Sequence, residues 1–284
     1  MNMEALYKEY KPLLFSISYG MLGTVTEAED VVQEIFLTLQ QEKLDHVQNI
    51  KAYLSKMATN KCIDALRSAQ KKRIVYVGEW LPEPIGAARF NEVEETIENR
   101  DLLSLVYLKI MEALTPNERA VFLLKEGISL SHAEIAHMLE TNEVNCRKLY
   151  SRAKKKMGIS TNGRFTVKEN REVIESFIHA FQLGDIERVL GLLSPDVILY
   201  SDGGGVVKAA IRPIETVQRV LLFLQGIYGK RPENMTIAIE SVNGQPSLVG
   251  KVDNETHNVI SFYIAENRIQ AIYLVVNPEK LKNV

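Results

Sequence analysis

Apolar residues recur at spacings of three and four along the first 73 positions. Leu6, Tyr10, Leu13, Leu14, Ile17 and Met21 make one such stripe, the face a helix would bury. Gly23-Thr24 interrupts it. Thr26 followed by Glu29 has capping-box spacing and predicts a second helix with Val31, Val32, Ile35, Phe36 and Leu39 inward. A polar stretch, 40–49, leads to a third helix over about 50–73. Leu54, Met57, Ala58, Cys62, Ala65 and Leu66 are its inward positions, and Lys56, Asn60, Asp64 and Arg67 its polar face.

Pro82, Pro84 and Gly86 stop any helix, so 74–100 reads as a linker held through Trp80. A helical pattern resumes near Glu92 and runs to Ala113. Thr115-Pro116-Asn117-Glu118 then starts a helix that Gly127 ends. Ser131 caps a short helix, Thr141-Asn142 turns, and a last helix spans about 143–157. Two helices joined by a short turn, the second basic, form a helix-turn-helix pattern. On a 100° wheel Cys146, Leu149, Ala153 and Met157 share one side of that last helix. Arg147, Lys148, Ser151, Arg152 and Lys155 take the other. After a second linker at 158–164 the pattern changes. Helices over about 167–183 and 185–193, a strand at 197–201, a helix over about 213–228 and four alternating segments near 235–276 predict an α+β domain.

Composition narrows the class. The chain has 284 residues, 46% hydrophobic and 25% charged, material for about two domains at roughly 100–200 residues each. No apolar run approaches the ~20 residues of a membrane span. The charged first ten residues do not read as a secretory signal, so a cytoplasmic location without membrane contact is expected. Two cysteines, Cys62 and Cys146, are too few for a disulfide framework, and no metal site or cofactor is expected. The net charge is only -2, yet the basic residues cluster: Arg67 with Lys71, Lys72 and Arg73, and Arg147 through Lys156. Acidic residues, Glu92 to Asp101, lie between. That arrangement fits contact with a polyanion at two separated places. It also fits two solvated helix ends.

In detail the chain resembles a bacterial RNA polymerase sigma factor of the extracytoplasmic-function type, in the subgroup with a SnoaL-like C-terminal extension. EAEDVVQEIFLTL (27–39) resembles region 2.2, and NIKAYLSKMATNKCIDALRSAQKKR (49–73) resembles regions 2.3 and 2.4. The helix-turn-helix at 114–157 resembles region 4. Three short motifs narrow the subgroup: Trp80-Leu81-Pro82-Glu83-Pro84, Asp202-Gly203-Gly204-Gly205 and Asn277-Pro278-Glu279-Lys280-Leu281. The family usually has lysine directly after the three glycines, where Val206-Val207 stand here, and aspartate at Glu279. Thr59 stands where arginine is frequent, and Tyr53 where tryptophan is common.

The resemblance implies a multidomain fold: two all-α sigma domains, the region 2 bundle and the region 4 helix-turn-helix, and an α+β SnoaL-like cone. The divisions are 1–75 for region 2, 76–100 for the linker, 101–158 for region 4 and 165–284 for the cone. It implies core RNA polymerase as partner, through the β′ clamp helices and the β flap, and promoter DNA. Asp30, Gln33 and Glu34 would supply polar anchors to polymerase, with apolar area from Ile35, Phe36 and Leu37, although Phe36 reads better as core. Tyr53, Asn60, Asp64 and Arg67 would contact the −10 element, with the 40–49 stretch holding a flipped base. Asp64 and Arg67 could instead form a surface ion pair. Arg147, Lys148, Ser151 and Arg152 would contact the −35 element. Trp80, Pro82, Asp202, Gly203, Gly204, Gly205, Asn277, Pro278, Lys280 and Leu281 would make regulatory contacts, the cone acting in cis with or without a small-molecule ligand.

Two other readings remain at this stage. A ligand-responsive DNA-binding regulator that never meets polymerase needs only the helix-turn-helix and the cone, and leaves 27–73 unexplained. A SnoaL-type enzyme would draw on His179, Asp202 or His257. These are far apart in sequence, with no nucleophile–base pair beside them, so no catalytic residue is expected.

Overall fold

The computed structural model describes residues 3–41, 47–72, 76–94, 96–158 and 171–284. The chain divides into two compact units. One comprises Met1–Ile74, Ala88–Leu103 and Tyr107–Phe165, the other Val75–Ala87, Ser104–Val106 and Thr166–Val284.

The first unit is helical. α1 (Met3–Leu22), α2 (Val25–Gln41) and α3 (Ile50–Lys72) pack together, burying Leu14, Ile17, Met21, Ile35, Leu39, Leu54 and Cys62. α2 begins at Val25, before the Thr26–Glu29 pair. The pair with this spacing at the turn is Thr24–Glu27, with the Thr24 hydroxyl donating to Glu27 at 2.6 Å. Gly23, at φ 76°, makes that turn and so decides which of two similar patterns is used.

The helix expected over 92–113 is not continuous. α4 (Ala87–Glu94) begins earlier, and a 3-10 turn at Arg100–Leu103, α5 (Leu105–Ile110) and a second 3-10 turn at Met111–Ala113 follow. Backbone groups here bond elsewhere: the Glu98 amide donates to Gly127 at 2.9 Å and that of Leu102 to Asn99 at 3.2 Å. Ile97, Leu102, Leu103, Leu105, Leu108 and Met111 are all buried, more than one helix face can hold.

α6 (Pro116–Gly127), α7 (His132–Met138) and α8 (Glu143–Lys156) form the helix-turn-helix. Capping boxes at Thr115–Glu118 and Ser131–Glu134 start the first two, and Asn142 caps the third. α6 packs on α1 and α3. Arg119 is buried there, its Nε donating to the Gly20 carbonyl at 3.0 Å. A Cβ at Gly20 would come within 2.8 Å of Leu123, so glycine permits this close approach.

The second unit is α+β. α9 (Arg171–Leu183) and α10 (Ile186–Leu192) precede β1 (Leu193–Asp202). The segment expected as a helix from 213 starts instead as β2 (Ile214–Glu215), pairing with β1, and only then becomes α11 (Val217–Gly229). Arg212 and Pro213 precede this strand, and proline suits a strand's approach rather than a helix interior. β3 (Thr236–Val242), β4 (Gln245–Val252), β5 (Glu255–Ala265) and β6 (Arg268–Val275) complete a sheet in the order β2-β1-β6-β5-β4-β3. β1 and β6 are parallel, and the other pairs antiparallel.

One sheet face, with Leu199, Leu248, Phe262, Ile264 and Ile272, forms a core with Ile174, Phe177, Val189, Val220 and Leu224 of the helices. Alternation sends Asp202, Tyr273, Val275, Val259 and Val249 to the opposite face, where they too are buried. Among the described residues no helix is long and apolar enough to cross a membrane. No group of three or more His, Cys, Asp and Glu side chains among them could hold a metal.

Candidate functional site

On α8, Val144, Arg147, Lys148, Ser151 and Arg152 are exposed on one face, at helical spacings of three and four. They line a shallow depression of about 430 Å³. Cys146, Ala153 and Met157 are buried on the other side. Arg147 bonds Glu143 at 2.5 Å, an exposed i,i+4 pair. Among the described residues no hydrogen bond holds the Lys148, Ser151 or Arg152 side chains. A helix of this kind fits a major groove, where guanidinium meets guanine edges or phosphate and an apolar side chain meets the thymine methyl. Val144, 62% exposed, was not singled out in the sequence. Its place one turn before Lys148 was the available signal.

The unit behind α8 is tied to it. Lys156 bonds Glu118 at 2.6 Å, and the Tyr150 hydroxyl donates to Glu126. Burial would raise the Glu118 carboxyl, but bonds from Lys156 and Thr115 outweigh it and hold the group below the usual range. Burial pushes the Cys62 thiol up to about 12, which leaves it a packing residue.

On α3, Asn60, Asp64 and Arg67 are exposed, and Tyr53 is half-buried. Asp64 and Arg67 do form the i,i+3 pair, at 3.3 Å; exposed pairs of this kind are worth only about 0.2–1 kcal/mol, so both remain easily recruited. Thr59 is buried and donates to the Ser55 carbonyl at 2.8 Å, so it cannot stand in for an exposed arginine. Lys56, between Tyr53 and Asn60, bonds Glu140 beside the helix-turn-helix turn at 2.9 Å. Residues 42–46 of the polar stretch and the side chains of Lys71, Lys72 and Arg73 lie outside the described residues, as does the second linker from 159 on. On α2, Asp30, Gln33, Glu34 and Leu37 are exposed on one stripe, and Ile35 and Phe36 are core. Glu34 also bonds Lys61 of α3 at 2.8 Å.

The second unit brings the three short motifs together. Asp202, 0% exposed, ends β1. Its Oδ1 accepts from the Tyr76 hydroxyl at 2.6 Å and the Gly204 amide at 3.0 Å. Its Oδ2 accepts from the Leu81 amide at 2.8 Å and Lys280 Nζ at 2.7 Å. Lys280 also donates to the Leu81 carbonyl and lies 4.2 Å from the centroid of the Trp80 ring. Burial first, and then the bond to Asp202, push the Tyr76 hydroxyl well up, so it stays a donor.

Each motif residue has a mechanical reason. A Cβ at Gly203 would sit 2.2 Å from the Val207 carbonyl oxygen. One at Gly204, where φ is 63°, would sit 2.3 Å from Asn277 Nδ2. Gly205, at φ 74°, packs against Val77. Asn277 donates its amide to Asp202 O and caps the 3-10 turn Pro278–Lys280. Leu281 is buried. Pro82 and Pro84 are buried and have no N–H to satisfy, while the amides of Leu81, Ile85 and Gly86 are all bonded. Ile85 exchanges bonds with Asn243, and Asn283 meets Gly86 and Glu83. Tyr76, Asn243 and Asn283 were missed in the sequence, because no motif marks them.

The enzyme candidates are not brought together. Asp202 is consumed by bonds to residues 76–86 (the strap) on the sheet face opposite the helices. His179 is exposed on α9, beside β3 on the helix side, and His257 is exposed on β5.

Two known families match the chain in separate stretches: Sigma-70 region 2 at residues 6–72 and Sigma-70, region 4 at residues 104–157. The ECF RNA polymerase sigma factor SigJ of Mycobacterium tuberculosis is 29% identical over 282 residues, covering 94% of this chain and 89% of that protein. A probable ECF RNA polymerase sigma factor, SigI of the same species, is 27% identical and covers 98% and 94%. The crystal structure of Mycobacterium tuberculosis SigJ superposes with a TM-score of 0.78 at 25% identity, covering 98% of each chain. With both sigma regions matched and the extra α+β unit included in the superposition, the chain carries the two Sigma-70 regions and is, along nearly its whole length, a homologue of extracytoplasmic-function sigma factors.

Proposed function

We propose that this sigma factor reads its promoter with two surfaces and is controlled in cis through the strap 76–86. Region 2 is taken as 1–75, the linker as 76–100, region 4 as 101–158 and the cone as 165–284. The exposed α2 stripe of Asp30, Gln33, Glu34 and Leu37 meets the β′ clamp helices, and region 4 meets the β flap. Tyr53, Asn60, Asp64 and Arg67 meet the −10 strand, and Arg147, Lys148, Ser151 and Arg152 the −35 duplex.

The observation that carries the control is the convergence of 80–84, 202–205 and 277–281 on one buried ion pair. The strap is the covalent path between region 2 and region 4. A cone that grips it limits how far the two can separate. Separation is required: elements at −35 and −10 are centred about 25 base pairs apart, roughly 85 Å of B-DNA. The two readers are joined by the Lys56–Glu140 pair. Helix rise puts Arg152 only about 15 Å beyond the Asn142 cap. The closed unit therefore falls well short of both elements. Polymerase or a cone ligand opens it only by binding the open state more tightly. The cone acts as a regulator rather than a catalyst, a reading favoured by the four donors that occupy Asp202.

Run-off transcription with core polymerase tests this, comparing the full chain with Lys280→Met and Asp202→Asn. A changed transcript yield with unchanged −35 duplex binding is expected. Equal yields from all three proteins would remove the strap from the control. Duplex binding without transcription, even with the strap released, would favour a regulator that does not use polymerase.

A further inference from the structure

β3 is an edge strand whose outer side is only partly used. Asn243 and Gly244, at φ 53° and 72°, join β3 to β4 in the two-residue turn whose central residues are both left-handed. That turn makes Val242 and Gln245 a hydrogen-bonded pair, and the alternation of the ladder follows. Ala238 and Glu240 point their backbone groups at β4, while Ile237, Ile239 and Ser241 point theirs away from the sheet. At one end this outer side already holds an extended chain. Gly86 of the strap forms an antiparallel bridge with Val242, and the Asn243 amide donates to Ile85 at 2.8 Å. Among the described residues no chain continues along Ile239 and Ile237.

A cleft of about 230 Å³ runs beside this open edge. Ile237, Ile239 and Leu248 form one side, and Glu175, Ile178 and His179 of α9 the other. The volume is below the roughly 300–1,000 Å³ of small-molecule sites. It suits one or two aliphatic side chains carried on a backbone that the strand edge can bond. Natural edges are usually blunted by proline or free charge. β3 has no proline, and its one charge, Glu240, is paired with Lys251 at 2.8 Å.

We propose that the β3–α9 groove is a docking site for an extended segment of another protein. The segment adds antiparallel to β3, as the strap does, with β-branched residues in the cleft and a Lys or Arg on the same face toward Glu175, whose present partner, Arg171 at 3.5 Å, makes only an exposed and weak i,i+4 pair. This site does not depend on the role proposed for the strap.

The test is titration of the ¹⁵N-labelled full chain with the capped peptide KTVTVTK, whose lysines and valines share one face. A version N-methylated at alternate residues serves as comparison. Shifts at Ile237 and Ile239 and slowed amide exchange there are expected. Binding should weaken at least tenfold in Ile237→Lys and in Glu175→Lys, each with an unchanged thermal midpoint. Equal binding by the N-methylated peptide, or no shift in β3 at millimolar peptide, would overturn the proposal. So would saturation of the cleft by isobutylamine that excludes the peptide, which would mark a small-molecule site. Dimerisation through β3 seen by sedimentation would assign the edge to a second copy.

Discussion

The exposed face of α8 and the knot around Asp202 both concentrate polar groups, and they treat them in opposite ways. On α8, Lys148, Ser151 and Arg152 project into solvent, and Arg147 holds only a surface pair with Glu143. Around Asp202 four donors meet one carboxylate, and the lysine that neutralises it also satisfies a carbonyl. The first surface leaves its polar groups to solvent. The second already has its partner, a segment of the same chain. A buried ion pair of this kind adds little net stability over an apolar replacement, but losing one member is costly. The knot therefore specifies where the strap sits more than it strengthens the fold.

Breaking the knot should have the largest effect. Lys280→Met leaves Asp202 buried without its cation, at a cost of about 3–5 kcal/mol. Amide exchange at Leu81, Ile85 and Gly86 should speed accordingly, and adding Asp202→Asn should restore part of the protection. A double variant no slower to exchange than the single would contradict the ion-pair account.

Gly204→Ala tests shape without charge. The new Cβ meets the Asn277 amide at a left-handed backbone position, and about 1–3 kcal/mol should be lost. Thermal unfolding of the full chain measures it, and an unchanged midpoint would mean the turn can move.

On the other surface, Arg152→Ala should leave the thermal midpoint nearly unchanged. If Arg152 reads a base edge, −35 binding should weaken by about 1–3 kcal/mol at one position only. If it holds phosphate, the loss should be uniform and the salt slope should fall by about one. A loss of stability instead of affinity would place Arg152 with the packed side of the helix.

The smallest effect is that of pH on region 4. The folded Glu118 carboxyl is held below its unfolded value, near 4.3. Its contribution is thus complete above about pH 4.3 and is lost as pH falls through the lower folded value. Glu118→Gln should flatten that part of the stability profile in denaturant titrations from pH 5 to 3.

The helix-turn-helix was legible almost to the residue, because caps at Thr115, Ser131 and Asn142 are local signals carried by the residues that act. The 92–113 segment was not, because Glu98 bonds Gly127 about thirty residues away and nothing nearby reveals it. The same limit explains Arg119. As a sequence position it is one more surface-type cation at a helix start, and only the packing of α6 on α1 buries it against Gly20. The three short motifs lay between. Their residues could be named, but the common object they contact could not.

The sequence by itself determined the three helices of residues 3–72, the helix-turn-helix and the last four strands, the two-sided character of α8 and the glycines and prolines of the three motifs. These depend on period, capping and backbone stereochemistry, all of which act within a few residues. Only the tertiary structure decided that Asp202 faces Lys280 rather than a pocket, that Thr59 is buried, that Lys56 reaches Glu140, and that among the described residues no strand pairs with the outer side of β3 along Ile237 and Ile239. Those outcomes depend on which distant surfaces meet, and the physics that selects them is the burial of a shared core rather than any local preference.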